Sequence, residues 1–216
     1  MRSLLALAII LAATCVRGAE REPWAHGAMA VTANRYATEV AVAVLERGGH
    51  AVDAAIAAHA VLGLVEPQSS GLGGGGFMVV HERADGTLAF HDGRETAPAG
   101  ATADMFMEDE EVMGFLDAWQ SGLAVGVPGV VDLYRQAHER HGRLAWAELF
   151  QPAIRLAREG FEVSPRLADY LVRIRDYVRL DDNPPTAAYF YPQGEALKAG
   201  ALRDNPALRV LVMKGR

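Results

Sequence analysis

The chain has 216 residues, which at roughly 150 residues per domain leaves room for one large domain or one and a half. Half of the residues are apolar, so the chain can bury a core. Acids outnumber bases by 27 to 21, which excludes nucleic acid or an anionic membrane as its main partner. A single Cys excludes a disulfide framework and any multi-cysteine zinc or iron–sulfur site.

The N-terminus has the pattern of a secretory signal peptide. Arg2 precedes an uninterrupted apolar run over residues 4–13. This run is too short for a bilayer, which needs about 20 residues, but it is typical of an export signal. We therefore expect cleavage near Gly18, with residues 1–18 as signal peptide and a periplasmic or secreted mature chain without a membrane segment. A buried N-terminal helix, a membrane anchor and lipid modification at Cys15 are the alternatives.

The first half of the mature chain predicts a strand, a helix pair and a hairpin. Residues 28–32 are an apolar run that indicates a strand. Apolar residues recur at helical spacing over 36–47 and again over the Ala-rich residues 52–65, with Gly48-Gly49 between the two helices. Strand-like runs at 77–81 and 87–90 flank Asp85-Gly86, which is a strong hairpin signal.

Beyond Pro98 the pattern is mainly helical. It predicts a helix over 130–140, helical turns over 144–158 interrupted at Pro152, and a helix over 166–180 that opens at Ser164-Pro165 and is stopped by residues 183–185. A further helix is expected to begin near Pro206. The predicted class is α+β.

The glycine loop, residues 71–76, is the most unusual local feature. Consecutive glycines lose backbone entropy on folding, so we expect a positive φ or a close backbone approach there. A phosphate-binding loop would need Lys and Ser or Thr at the positions of Phe77 and Met78, and a dinucleotide loop would be followed by a helix rather than a strand. The residues therefore favour a buried tight turn and no bound cofactor.

No pattern in the chain forms a complete active site. The run from His138 to His141 is not a zinc-protease helix, because Gly142 stands where the second His is needed, and a solvated helix end is expected. The other histidines are scattered, and no metal site is predicted. Neither Ser69-Ser70 nor Ser121 lies in a Gly-x-Ser-x-Gly elbow, so no catalytic residue is assigned.

Arg94 lies in a charged cluster at the end of the second hairpin strand, where a ligand-facing group is often displayed. A guanidinium group can bind both oxygens of a carboxylate. From these residues alone, a structural ion pair with Asp92 or Glu95 is favoured over substrate recognition.

Six blocks of the sequence, taken together, resemble the large subunit of the gamma-glutamyltranspeptidase family. They occur in the family's order, at residues 45–55, 66–77, 94–98, 126–129, 151–153 and 156–161. The resemblance implies an exported N-terminal-nucleophile hydrolase with an αββα sandwich. Its precursor cleaves itself, and the new N-terminal Thr of the small subunit attacks the gamma-glutamyl amide of glutathione. The acyl group then passes to water or an amino acid.

The resemblance also reverses the interpretation of Arg94, which falls on the family residue that binds the alpha-carboxylate of the glutamyl group. The nucleophile, its supporting groups and the oxyanion glycines belong to the family's C-terminal part. We therefore expect residues 19–216 to be a truncated N-terminal portion of the large subunit, with an incomplete sandwich and no activity alone. A non-catalytic carboxylate-binding remnant and a related acylase, acting on beta-lactam side chains or poly-gamma-glutamate, are the alternatives.

Overall fold

A computed structural model describes residues 27–208 of the chain. The predicted signal peptide and most of the helix expected from Pro206 lie outside these residues. Among the described residues, no helix is both long enough and apolar enough to cross a bilayer. The mixed helix and strand content confirms the α+β class.

Two packed helices, α1 (Arg35–Glu46) and α2 (Ala51–Val65), form the centre of the larger core. Asn34 caps α1 by accepting the N–H of Tyr36 at 3.0 Å. His50 caps α2, and the carboxylate of Asp53 accepts the main-chain N–H of His50 at 2.8 Å, which completes a reciprocal capping box. Many of the buried residues on both helices are alanines, so the helix backbones can approach closely.

A hairpin of β1 (Gly76–His81) and β2 (Leu88–Gly93) joins the same core, with Gly76 opposite Gly93 and His81 opposite Leu88. Its turn contains Gly86 at φ +75°, a conformation that favours glycine. Val80 and Ala89 face the core. The opposite face exposes four large apolar side chains, Phe77, Val79, Leu88 and Phe90.

The remaining elements follow in chain order: β3 (Met107–Glu108), β4 (Glu111–Val112), α3 (Phe115–Gln120), α4 (Val130–His141), α5 (Trp146–Leu149), α6 (Gln151–Glu159), β5 (Phe161–Glu162), α7 (Pro165–Ile174), α8 (Pro184–Phe190) and β6 (Leu202–Arg203). Strands β3 and β4 pair with each other, as do β5 and β6. A second, smaller core surrounds α7 and includes Leu167, Leu171 and Tyr191. Each sheet in the described part of the chain has two strands, and the sandwich stays a prediction.

Three sequence predictions of elements need correction. Residues 28–32 form no strand, because no strand among residues 27–208 pairs with them. The Thr32 hydroxyl instead donates to the Asn34 carbonyl at 2.7 Å, just before α1 begins. The helix predicted over 166–180 ends at Ile174. Residues 183–185 begin α8, since the Asn183 side chain accepts the Thr186 N–H at 3.1 Å and the prolines occupy the first turn, where N–H groups have no intrahelical partner.

The predicted interruption near Pro152 is present, but it lies two residues earlier, at Phe150. Helices α5 and α6 are separated at Phe150, and Pro152 lies in the first turn of α6. Helix α6 ends at Glu159 and is followed by Gly160, whose φ of +96° disfavours any residue with a side chain.

Candidate functional site

Three segments that are far apart in sequence meet where β2 ends. The N–H of Val127 donates to the Thr96 carbonyl at 2.9 Å. The Gly74 carbonyl accepts the N–H groups of both Gly129 and Val130, at 3.2 and 3.1 Å. The glycine loop, the segment after β2 and the start of α4 are therefore joined by main-chain hydrogen bonds.

Close backbone approach explains part of the glycine content of these segments. A Cβ added at Gly75 would lie 2.7 Å from the Glu95 nitrogen and 2.7 Å from the Gly93 carbonyl oxygen. At Gly126 it would lie 2.8 Å from the Cβ of Glu95, and at Gly129 it would collide with the Gly93 carbonyl. None of residues 71–76 has a positive φ. Of the two predicted reasons for the glycine loop, close approach is the one that applies, and it applies at Gly75. The prediction that the turn is buried is wrong, because residues 71–76 are exposed or half-buried.

Arg94 lines a cavity of about 530 Å³ beside this junction. The wall consists of residue 73, residues 94–98, 101, 105 and 106, and residues 123–126. Gly73 contributes from the glycine loop, Arg94 and Glu95 supply charge, and most of the other lining side chains are apolar, including Met105 and Phe106. A pocket with one cation and a largely apolar wall suits a ligand that has a carboxylate at one end.

The Arg94 side chain is 66% exposed, and its Nε lies 3.5 Å from Oε2 of Glu95. Its main-chain N–H donates to the Asp92 carboxylate at 2.9 Å. The ion pair expected from sequence is thus present with Glu95, but an exposed pair of this kind contributes at most about 1 kcal/mol. Among the described residues the guanidinium makes no hydrogen bond, which leaves its donors available to a ligand carboxylate.

The serines considered in the sequence have structural roles. Ser69 accepts a hydrogen bond from Nη2 of Arg166 at 2.9 Å. Ser121 donates to the Ala118 carbonyl at 2.7 Å and accepts the Leu123 N–H at 3.2 Å. Neither hydroxyl is hydrogen-bonded to a histidine, and residues 27–208 contain no group of three side chains arranged to hold a metal ion.

Sequence reasoning missed a histidine cluster, formed by His50, Glu82, His91 and His141. Glu82 Oε1 lies 2.7 Å from Nδ1 of His141 and 3.2 Å from Nε2 of His50. The ring of His141 stacks on that of His50 and meets that of His91 edge-on, with centroids 5.6 Å apart in both cases. The prediction of a solvated helix end is therefore wrong for His141, whose side chain is 5% exposed. The four residues come from four separate parts of the chain, so no local pattern could reveal them.

Burial and hydrogen bonding together set the electrostatics of the histidine cluster. Desolvation lowers the pKa of His91, and the neighbouring His141 and Arg140 lower it further. The hydrogen bond from His141 lowers the pKa of Glu82, which stays ionised. His50 accepts the Val52 N–H on Nδ1 at 3.2 Å, so its neutral ring carries the proton on Nε2 and has no lone pair there for a metal.

Comparison with known proteins adds sequence relationships to this geometry. A family model described as Gamma-glutamyltranspeptidase matches residues 37–212. The chain is 46% identical over 148 residues to Scoloptoxin SSD14 of Scolopendra dehaani, covering 68% of this chain and 24% of that protein. It is 40% identical over 171 residues to Glutathione hydrolase 3 of Arabidopsis thaliana (79% and 26% covered) and 39% identical over 173 residues to the Glutathione hydrolase proenzyme of Bacillus subtilis strain 168 (80% and 29%). The chain spans about a quarter to a third of the length of the curated relatives it matches.

Solved structures show similarity over most of the described residues. The gamma-glutamyltranspeptidase of Helicobacter pylori superposes with a TM-score of 0.81 at 31% identity, covering 88% of this chain and 54% of that one. A cephalosporin acylase from Bacillus halodurans superposes with a TM-score of 0.68 at 28% identity, covering 82% and 34%.

Proposed function

Since the chain belongs to the gamma-glutamyltranspeptidase family, we propose that it supplies the carboxylate-binding part of a gamma-glutamyltransferase active site. The proposed reaction moves the gamma-glutamyl group of glutathione or a related amide to water or to an amino acid acceptor, through a Thr acyl-enzyme. The observation that carries the proposal is the position of Arg94, which lies in a cavity where three of the family-like blocks meet.

The proposed role of Arg94 is to hold the alpha-carboxylate of the glutamyl group. The guanidinium fork matches the two carboxylate oxygens, and a hydrogen bond to a charged group contributes about 1.5–3 kcal/mol. Arg94 is held weakly by Glu95, at 3.5 Å, so a substrate carboxylate can replace Glu95 at little loss. Fixing this end of the substrate would place the gamma-amide at a constant distance for attack.

The proposed partner is a small subunit cut from the same precursor, whose N-terminal Thr supplies the nucleophile. The exposed apolar face of the hairpin supports this, because Phe77 and Phe90 stack on one another with centroids 5.8 Å apart and are 59% and 64% exposed. A contiguous apolar surface of this kind usually marks an interface. A second sheet packed on this face would complete the αββα sandwich, and we expect the chain alone to be inactive.

The exported location is also part of the proposal. It rests on the sequence of residues 1–18, where an apolar run follows Arg2 and small residues surround the expected cleavage position. The mature enzyme would then act on gamma-glutamyl compounds in the periplasm or outside the cell. Determining the N-terminal residue of the protein recovered from that compartment tests this point.

Substitution at Arg94 tests the function. The polypeptide encoded by the whole reading frame that contains this chain is assayed for release of aniline from a gamma-glutamyl anilide. Arg94→Lys keeps the charge and loses the fork, and we expect kcat/KM to fall by about 100-fold, which corresponds to about 2.7 kcal/mol. Arg135→Lys is the matched control, since Arg135 is 52% exposed and pairs with Asp132 and Glu139 on the surface of α4.

Three results would contradict the proposal. An unchanged kcat/KM in Arg94→Lys would remove Arg94 from the binding site. Absence of turnover by the wild-type polypeptide would favour the alternative of a non-catalytic carboxylate-binding remnant. Gamma-glutamyl transfer by residues 1–216 alone would contradict the need for a small subunit.

A related acylase is the second candidate, favoured by the structural similarity to a cephalosporin acylase. Acyl groups without an alpha-carboxylate would not need Arg94. Hydrolysis of a beta-lactam side-chain amide that is insensitive to Arg94→Lys would therefore support the acylase and contradict the transferase.

A further inference from the structure

Glu66 is a charged residue in the protein interior, and it is not among the residues that line the Arg94 pocket. It is 1% exposed. A carboxylate removed from water destabilises a fold unless donors surround it. Here Oε1 accepts from Nδ2 of Asn34 at 2.8 Å, and Oε2 accepts from Nε2 of Gln68 at 2.6 Å and from Nη1 of Arg166 at 3.3 Å. Both oxygens are therefore partnered.

The partners of Glu66 come from separate parts of the fold. Asn34 caps α1 and Arg166 lies in the first turn of α7. The main-chain carbonyl of Glu66 also accepts the N–H groups of Ser69 and Ser70, at 3.0 and 3.2 Å. Since Arg166 donates to Ser69 at 2.9 Å as well, residues 66–70 are held to both helices just before the glycine loop.

Within the glycine loop the N–H of Gly74 donates to the Gly71 carbonyl at 3.4 Å, and the loop has few other contacts before Gly74. A Cβ added at Gly71, Gly73 or Gly76 would meet no heavy atom within 4 Å. The far end of the loop is held at Gly74, whose carbonyl accepts the two N–H groups at the start of α4. Because the glycine backbone is freely variable, its course depends on these two ends. Gly73, between them, forms part of the wall of the Arg94 pocket.

We infer that Glu66, together with Arg166, is a positioning residue for the Arg94 pocket. It fixes the start of the glycine loop and thereby the pocket wall beside the carboxylate-binding group. This inference rests on the proposed function. A buried ion pair is by itself weak evidence that the pair stabilises the fold. The position of the Glu66–Arg166 pair at the start of the glycine loop supports a geometric role instead. Contacts to the alpha-carboxylate are equally strong in the ground and transition states, so disturbing them raises KM and leaves kcat unchanged.

The test compares two buried carboxylates at opposite ends of α2. Glu66→Gln keeps the shape of the side chain and removes its charge. Asp53→Asn is the matched control, because Asp53 is 0% exposed and anchors residues 143 and 144, away from the pocket. In the complete polypeptide we expect Glu66→Gln to raise KM for a gamma-glutamyl anilide about tenfold with kcat within about twofold. Asp53→Asn should lower the urea unfolding midpoint but leave KM unchanged.

Amide hydrogen exchange in the same complete polypeptide provides a readout that does not need activity. We expect exchange at Ser69, Ser70 and Gly74 to rise about tenfold in Glu66→Gln and to stay constant in Asp53→Asn. If Glu66→Gln fails to fold, Arg166→Met removes the other half of the pair and should shift KM and exchange in the same direction.

The outcomes separate the two proposals. Wild-type polypeptide without gamma-glutamyl turnover would contradict the proposed function, and the exchange data alone would then decide whether Glu66 fixes the loop. Turnover with an unchanged KM in Glu66→Gln would overturn the positioning role. Equal KM changes in Glu66→Gln and Asp53→Asn would do the same, since they would indicate a general loss of stability.

Discussion

Gly75→Ala is expected to strain the junction at the Arg94 pocket. The new Cβ would lie 2.5 Å from Oε2 of Glu95, and 2.7 Å from both the Glu95 nitrogen and the Gly93 carbonyl oxygen. The side chain of Glu95 can rotate away. The two main-chain contacts must open by about 0.7 Å to reach the ordinary limit of 3.4 Å, and these atoms flank Arg94.

Such overpacking destabilises a protein by about 1–3 kcal/mol. For a chain of this size each kcal/mol lowers the melting temperature by about 2–4 °C, so a fall of about 2–12 °C is expected. The matched control is Gly73→Ala in the same loop, where the added Cβ meets nothing within 4 Å. Gly73→Ala should be neutral or stabilise by about 0.4–1 kcal/mol, because it restricts the unfolded chain.

Thermal and urea unfolding of the 216-residue chain, followed by circular dichroism, measure both variants. Equal midpoints for Gly75→Ala and Gly73→Ala would refute the argument that close backbone approach selects glycine at residue 75. A lower midpoint in Gly73→Ala alone would contradict the described course of the loop.

Two further predictions concern a buried aspartate and two half-buried histidines. Asp53→Ala removes a carboxylate oxygen that accepts the N–H groups of residues 50, 143 and 144 at 2.8, 2.9 and 3.3 Å. Urea unfolding should show a loss of about 3 kcal/mol in the free energy of unfolding. The control Asp132→Ala, at an exposed residue, should lose less than about 0.5 kcal/mol. Stability should also fall as the pH drops from 7.5 to 5. Burial lowers the pKa of His59 and of His91 below the value of 6.5 in the unfolded chain, so their contribution is complete above pH 6.5 and is lost as pH falls towards the folded pKa. His91→Phe should reduce this pH dependence of the urea midpoint, whereas the control His81→Gln, at an exposed residue, should leave it unchanged. A larger effect of His81→Gln than of His91→Phe would contradict the assignment of the pH dependence to His91.

Local signals were sufficient for the elements that close within a few residues. Helical spacing and the two glycines gave α1 and α2 to within one residue. The Asp85-Gly86 pair gave the hairpin, because an aspartate that accepts the Thr87 N–H at 3.0 Å and a glycine at φ +75° form the turn by themselves. Residues 28–32 show the limit of such signals, since an apolar run becomes a strand only when another strand pairs with it.

The candidate site depends on contacts between distant parts of the chain, which explains why the residues alone did not identify it. Arg94, Gly73 and Gly126 line one cavity, although up to 53 positions separate them. Local reasoning about Arg94 found its neighbour Glu95 and favoured an ion pair, and that pair exists. The resemblance supplied the substrate role, which stays a prediction. Of the histidine cluster only His50 lies in a quoted block, and no local pattern joins it to the other three residues, so only the fold could bring the four together.

The exposure of Arg94 also bears on how much of a substrate this chain can bind. A KM between 1 mM and 1 μM corresponds to about 4–8 kcal/mol, whereas an exposed arginine–carboxylate pair contributes at most about 1 kcal/mol. The same pair becomes stronger when both groups are removed from water and the guanidinium binds both oxygens. With its side chain 66% exposed, Arg94 meets neither condition in the described residues. The proposed small subunit must therefore do more than bring a nucleophile: by covering the pocket it would convert a weak surface contact into a specific carboxylate site.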